Sequence, residues 1–443
     1  MQWIEGLRLA MPGVVAALPY VCYGFLALVI LAGIARLSLL ARSTVALKQH
    51  VRSLRSVDYR RFQDSEHVMP VSLILPAVNV TDSLKEQVEN LLGLDFKQYE
   101  LIVVANSRHT EAWQSLMEGY RLLPFHQPFK KTLPASRVDA VYRSASDVRL
   151  VVLDVKDADR AGALNAGVNV SSYPIVAPVY PDVRLTKDAL LKMVYAFVSD
   201  SACVFIGSFP RIGTGEEQNA EAKMPVLAQQ QYLERLRTLY TNRRGYATYG
   251  LYLTLNNSFA AYLKNAVTES GGFSADARAE NTDLLLRIHA RLRKEKRAYC
   301  ARLLPDAVAY QLPQKRMNGV CRQQRSGLKD LRNTVRRNHA VARALRGAGY
   351  TRLSERGGPL LEVLGMVVVL VSAVLGAVPL AFAGLYLLLG ILIGAVQSVL
   401  AMLLEEYAFQ RQTDTGLLLG RYVLAILLQI GFRLRTTLAR VFS

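Results

Sequence analysis

The most constraining feature of the sequence is residues 13–41, "GVVAALPYVCYGFLALVILAGIARLSLLA", a nearly continuous apolar run. It exceeds the roughly 20 residues an α-helix needs to cross a bilayer. It is also long for a signal-peptide core, and no clear small-x-small cleavage site follows it, so a retained membrane helix is expected. Two further apolar segments, 361–378 and 380–404, are separated by Pro379 and predict a helical hairpin. A third, 416–432, is shorter and carries Arg421 and Gln429. It is either a last crossing or a helix lying in the interface.

Basic residues set the orientation. Arg42, Lys48, Arg52, Arg55, Arg60 and Arg61 follow the first span, and Arg343, Arg346, Arg352 and Arg356 precede the hairpin. Both flanks of the central region are therefore expected in the cytoplasm. A third crossing would carry Arg433, Arg435 and Arg440 outside, against the rule, so the interfacial alternative is favoured. The chain has 443 residues and a net charge of +19. Its length predicts two or three units. Beside membrane spans, the positive charge points to anionic lipid headgroups rather than nucleic acid, for which there is no motif. Cys22, Cys203, Cys300 and Cys321 lack metal-ligand spacing and are expected to be reduced and inert.

The central region has the pattern of an α/β domain. "VSLIL" (71–75) is a short strand. Leu84, Val88, Leu91 and Leu92 then recur at helical spacing, and "ELIVVAN" (100–106) is a second strand. Strand, helix, strand at this length is a βαβ unit with a parallel sheet. "VRLVVLD" (148–154), "PIVAPV" (174–179) and "SACVFIGSF" (201–209) are further strands, and 161–170 is a helix. Ligands of such sheets sit at the carboxyl ends of the strands.

These segments, in this order, resemble the membrane-bound family-2 glycosyltransferases of bacterial exopolysaccharide synthesis. "DRAGALNAGV" is similar to the family's G-K-x-x-A-L-N-x-G, and "AENTDLLLRIHARL" to its E-D-x-D-L-x-x-R helix. The opening βαβ, "LPDAVAYQLPQ", "LLEEYAFQRQ" and "GFRLRTTLAR" also match in order. The resemblance implies a GT-A fold, a Rossmann-like and mostly parallel α/β sheet, joined to transmembrane α-helices. It implies a nucleotide-sugar donor near Pro76, Asn79, Asn106, Arg160 and Asp182, with the acceptor side near Arg322 and Arg325. Mg²⁺ or Mn²⁺ would be the cofactor of an active enzyme.

The resemblance breaks at the acids. The family's nucleotide-binding Asp corresponds to Asn106, its Gly-Lys to Asp159-Arg160, and its metal-binding Asp-x-Asp to Tyr180-Pro181-Asp182. The general base corresponds to Asn281, leaving Glu280 and Asp283, and the Trp of Gln-x-x-Arg-Trp corresponds to Ser326. Asparagine accepts a hydrogen bond but takes no proton near neutral pH. A hard metal wants carboxylate oxygens, for which tyrosine is a poor stand-in. Asp182 remains as a doubtful metal ligand, or as a turn-stabilising residue. Glu280 is either a substitute base or an orienting residue at the helix start. Asp154, Asp157 and Asp159 are expected to be a solvated loop and N-cap, with a displaced metal site as the alternative.

Arg322, Arg325, Lys329, Arg332 and Arg336 recur on one helical face, beside an apolar face of Leu328, Leu331, Val335, Ala342 and Leu345. This is the pattern of a helix lying in the membrane surface. A solvated basic helix and a grip on an anionic glycan are the alternatives. The expected division is a transmembrane helix (1–41), a basic juxtamembrane linker (42–69), the GT-A-like domain (70–318) and a basic interface helix region (319–357). A transmembrane hairpin (358–404) and an interfacial or third membrane segment with a basic tail (405–443) complete it. The expected function is that of a catalytically impaired pseudo-glycosyltransferase of the bacterial inner membrane, multi-pass with a cytoplasmic domain, serving as a scaffold or regulatory partner of a polysaccharide synthase or export complex. The alternative is an active, divergent inverting transferase using Glu280 or Asp283 as base. A receptor for a nucleotide or glycan, motivated by Arg160 and Arg184, is the third and weakest possibility.

Overall fold

The computed structural model describes the chain outside residues 1–11, 55–56, 79–83, 107–109, 127, 157, 214–223, 244–258, 307, 345–356, 410–419, most of 421–430, and 442–443. The helices used below are α1 (Pro12–Leu54), α2 (Leu84–Leu92), α3 (Arg160–Val170), α4 (Val226–Thr238), α5 (Glu280–Lys294), α6 (Met317–Arg337), α7 (Gly358–Val374), α8 (Leu380–Phe409) and α9 (Phe432–Val441). The strands are β1 (Val71–Ala77), β2 (Tyr99–Ala105), β3 (Leu122–Pro124), β4 (Val138–Ser144), β5 (Leu150–Val155), β6 (Ile175–Pro178), β7 (Val183–Leu185), β8 (Cys203–Ser208), β9 (Arg211–Ile212), β10 (Ala260–Leu263), β11 (Cys300–Leu304) and β12 (Ala309–Gln311).

Nine strands form one sheet in the order β11-β8-β10-β6-β1-β2-β5-β4-β3. Its centre, β6-β1-β2-β5, is parallel. Strands β4 and β10 run antiparallel to their neighbours, so the flanks make the sheet mixed. The central strands are buried throughout, as parallel strands covered on both faces must be. Alternate residues serve opposite cores. Leu73, Leu75, Leu101 and Val103 pack with Leu84, Val88 and Leu91 of α2. Ile74, Ile102 and Val104 pack with α3 and with Leu284, Leu285 and Ile288 of α5. Helix α3 lies so close to β1 that a Cβ on Gly167 would meet Ile74 Cγ2 at 2.4 Å. This accounts for the small residues of "AGALNAGV".

A second sheet of three short strands, β7-β12-β9, sits beside the first. Its pairing of Gln311 with Val183 brings β12 against the turn that follows β6.

Helices α1 and α8 are long and apolar enough to cross a membrane, and α7, with 17 residues, is shorter. Helices α7 and α8 are joined through a turn with Gly376 at φ +64° and Pro379 at its end. Helix α1 continues through the first part of the expected linker to Leu54. The reason is packing. Leu47 is fully buried, Ser43 Oγ donates to the Tyr240 carbonyl at 2.6 Å, and His50 Nε2 lies 2.7 Å from Asp306 Oδ2. Helix α8 is tied to the domain at its far end. Arg211, with no exposed surface, donates through Nε to Glu405 Oε1 (3.0 Å) and through Nη2 to Glu405 Oε2 (3.1 Å). Its guanidinium also binds the carbonyls of Phe209 and Pro305, at 3.0 and 2.8 Å. Most of 416–432 lies outside the described residues, so the expectation for that segment has no structural counterpart here.

Candidate functional site

The parallel register ends β1, β2 and β5 together: Ala77 lies opposite Ala105, and Ala105 opposite Asp154. Pro76, Asn106, Asp154 and the Tyr180–Asp182 turn after β6 therefore share one edge of the sheet, and Asn106 and Asp154 are both buried there. Asn79 and Asp157 lie outside the described residues. Helix α3 starts at this edge. Asp159 is its N-cap and accepts a hydrogen bond from the Gly162 amide at 2.8 Å, the usual use of an aspartate at that position.

The same helix holds the opposite wall. Asn165 Nδ2 donates to the carbonyls of Pro134 (2.8 Å) and Phe273 (2.9 Å), and its Oδ1 accepts from the Phe273 amide (2.8 Å). The turn it grips contains Gly272 at φ +68°, where a Cβ would also stand 2.5 Å from Asn165 Oδ1. That turn fixes the entry to α5 and hence Glu280.

Three expected site residues meet here. Arg160, half exposed, reaches Glu280 Oε1 at 3.5 Å. Its guanidinium also lies 5.5 Å from the centroid of the Tyr180 ring. Tyr180 is 3% exposed and Glu280 5%. Among the described residues, neither the Tyr180 hydroxyl nor Glu280 Oε2 has a hydrogen-bond partner. Burial pushes the Glu280 carboxyl above the usual carboxylate range, against the pull of Arg160. Burial, followed by the Glu280 charge, raises the Tyr180 phenol well above its ordinary value.

The other candidates are engaged elsewhere. Asp182 Oδ2 accepts from Gln311 Nε2 at 2.8 Å, and Gln311 Oε1 accepts in turn from Arg235 at 2.5 Å. Asn281 Oδ1 accepts from the Tyr262 hydroxyl at 3.2 Å. Asp283 is bound by Arg287 Nε (2.8 Å) and Asn338 Nδ2 (2.9 Å). Arg287 also donates to the carbonyls of Ser270 and Gly272. Asp283 thus braces the loop before α5. Arg184 is buried and paired with Glu86 at 2.8 Å. Arg322 and Arg325 lie on the exposed basic face of α6, and Arg325 donates to the Ala439 carbonyl at 3.3 Å. A cavity of about 210 Å³ opens between α4, α6, α9 and the loop before α5, with Arg278, Gln311, Ser326, Asp330, Phe432 and Arg440 among its lining. Ser326, not the two arginines, faces it.

The residues of the turn do not fit a hard divalent metal, which wants several oxygen ligands. The one carboxylate of the 180–182 turn is committed to Gln311, and a guanidinium stands beside Glu280. Among the described residues, no group of three or more His, Cys, Asp or Glu side chains is placed to hold a metal ion. Sequence reasoning missed Tyr262, Gln311, Arg235 and Arg287. Only Arg287, four residues after Asp283 in the E-D-x-D-L-x-x-R pattern, carried a local signal.

In an α/β sheet of this order, parallel at its centre, ligands sit outside the carboxyl ends of the parallel strands. The family model described as "Glycosyl transferase family 2" matches residues 72–269. Poly-beta-1,6-N-acetyl-D-glucosamine synthase of Staphylococcus epidermidis is 22% identical over 249 residues, covering 55% of this chain and 53% of that protein. The Staphylococcus aureus (strain MSSA476) synthase of the same name is 20% identical over 242 residues, covering 54% and 51%. The chain thus spans about half the length of the curated relatives it matches. A solved structure, the mannosyltransferase PcManGT from Pyrobaculum calidifontis in complex with GDP-Man and Mn2+, is similar with a TM-score of 0.47 and 14% identity, covering 90% of this chain and 99% of that one. Residues 72–269 therefore resemble the family-2 glycosyltransferases, on a mixed α/β sheet of GT-A type.

Proposed function

We propose that the protein is a multi-pass protein of the bacterial inner membrane, with its glycosyltransferase domain in the cytoplasm, and that it does not perform metal-dependent sugar transfer. It serves a polysaccharide synthase or export complex as a scaffold or regulatory partner. One observation carries this proposal: where the resembled family places a metal between carboxylates, this chain has the buried Tyr180 ring with the Arg160 guanidinium beside it. A positive side chain and a divalent cation exclude each other electrostatically. Asn281, bonded through its Oδ1 to Tyr262, supplies no base. The basic flanks of α1 and of the hairpin support the orientation.

The full chain, purified in detergent and supplied with a sugar nucleotide and Mg²⁺ or Mn²⁺, is expected to give no transfer or donor hydrolysis above background. Turnover that disappears in Asp182→Ala would overturn the proposal.

A second reading rests on a different observation. The Tyr180 hydroxyl and Glu280 Oε2 are buried polar atoms without partners among the described residues, and such atoms are ordinarily satisfied. A bound donor would satisfy them, with Arg160 facing its diphosphate and Glu280, its pKa raised by burial, acting as general base. Turnover that persists in EDTA and is lost in both Arg160→Ala and Glu280→Gln would favour this divergent transferase.

A further inference from the structure

The nine-stranded sheet ends at β11, and the pairing of β11 with β8 sets two of the four cysteines side by side. Cys300, the first residue of β11, is the register partner of Cys203, the first residue of β8, in a parallel ladder. The Cys300 amide donates to the Ala202 carbonyl at 2.8 Å, which holds the two strand starts together. Paired residues of neighbouring strands point to the same face, and such strands run about 4.8 Å apart. Both side chains indeed meet the same core, the one built around Leu73, Val88 and Leu101. A disulfide needs Cα atoms about 4.4–6.8 Å apart, so the strand spacing suits a bridge.

The two thiols differ in access. Cys203 is 2% exposed, and its Sγ donates to the Phe205 carbonyl at 3.4 Å. Cys300 is half-buried at the edge of the sheet, and its Sγ accepts from Arg302 Nε at 3.2 Å. Arg302 is held in turn by Asp200, through Nη2 and Oδ2 at 2.6 Å. Burial pushes both thiols up, and Arg302 pulls Cys300 back. All four cysteines are free, with Cys22 on α1 and Cys321 on α6.

We propose that Cys203 and Cys300 form a redox-sensitive pair that closes to a disulfide when it meets a peroxide. The Cys300 thiolate, with Arg302 beside it, attacks one oxygen of hydrogen peroxide. An S–O bond forms, the O–O bond breaks, and the leaving oxygen takes a proton and departs as water. Cys203 then gives up its proton and attacks the Cys300 sulfenic sulfur. The S–S bond forms, the S–O bond breaks, and a second water leaves. Two thiols and one peroxide thus give one disulfide and two waters, the two electrons passing from sulfur to the peroxide. The bridge would fasten the edge strand to β8. Strand β11 runs on to Pro305 and Asp306, which bind Arg211 and His50, so the bond would brace the join between the domain and helices α8 and α1. In a reducing compartment such a bond is transient, as redox-sensing disulfides are. The inference is independent of whether the cleft is active.

The test treats the full chain, purified reduced in detergent, with a small excess of hydrogen peroxide, and maps its disulfides by mass spectrometry of an unreduced digest. The linked Cys203–Cys300 peptides are expected to exceed every other cysteine pairing at least tenfold and to disappear in dithiothreitol. Cys203→Ser is expected to leave a sulfenic acid on Cys300 that dimedone traps, and Cys300→Ser to leave Cys203 unlabelled. The oxidised native chain is expected to melt above the reduced one, a shift that dithiothreitol reverses and both Ser variants lack. Oxygen acids on Cys300 of the native chain without the link overturn the proposal, and so does linkage of Cys300 to Cys321 at a comparable level. An oxidised chain that melts below the reduced one also overturns it, because the strands would then be strained by the bridge.

Discussion

The Tyr180 hydroxyl is buried with no hydrogen-bond partner among the described residues, and Glu280 Oε2 is in the same condition. Removing a buried, unmade polar group is neutral or stabilising, because its desolvation was never offset. Tyr180→Phe is therefore expected to leave the melting temperature unchanged or raised, by about 0–2 kcal/mol of stability. A clear loss would show that the hydroxyl has a partner. Glu280 gives a pH-dependent counterpart. Its folded pKa is raised, so its contribution to stability is fully present below the ordinary carboxylate value, about 4.3, and is lost as pH rises through the raised one. Glu280→Gln is expected to stabilise the protein at pH 7–8 relative to the native chain. That gain should vanish when melts are repeated below about pH 4; a gain independent of pH would contradict the assignment. That positions 106, 180 and 281 carry Asn, Tyr and Asn where the resemblance implies acids is read from the sequence alone. What surrounds them is not. The Gln311–Asp182 bond joins residues 129 apart, and the approach of Arg160 to both Tyr180 and Glu280 depends on three separate elements.

Among the elements, the join between domain and membrane helices is the most exposed to test. Arg211 and Glu405 are 194 residues apart and both fully enclosed. The Tyr240 hydroxyl also donates to Glu405. Deleting one member of a buried pair strands the other charge, at about 3–5 kcal/mol, whereas replacing both by apolar residues is often nearly neutral. Glu405→Leu alone is expected to lower the melting temperature sharply, and Arg211→Met with Glu405→Leu to recover most of the loss. Additive losses would mean the pair is not coupled. Gly272→Ala is expected to destabilise as well, by roughly 1–3 kcal/mol, because φ +68° and Asn165 both oppose a Cβ. The central strands were readable from their apolar runs. Strands β7, β9, β10 and β12 have two to four residues each, too short for a period to show. The extension of α1 past residue 41 escaped notice because its polar stretch is held by the domain, through Ser43 and His50, and not by its own pattern.

At the scale of the whole molecule, one polypeptide joins an α/β domain to apolar helices, and the buried Arg211–Glu405 pair is part of that join. That junction is closed: neither side chain of the pair is exposed beyond 2%. The net charge of +19 points to lipid headgroups but, being a sum over the chain, not to a location. The central claim concerns the cleft: its cation is a side chain. The most direct measurement is calorimetric titration of the full chain with a nucleoside diphosphate, in Mn²⁺ and again in EDTA. Affinity should be absent in both, or equal in both to within about twofold and lost in Arg160→Ala. Binding that strengthens tenfold or more in Mn²⁺, and loses that gain in Asp182→Ala, would contradict the claim.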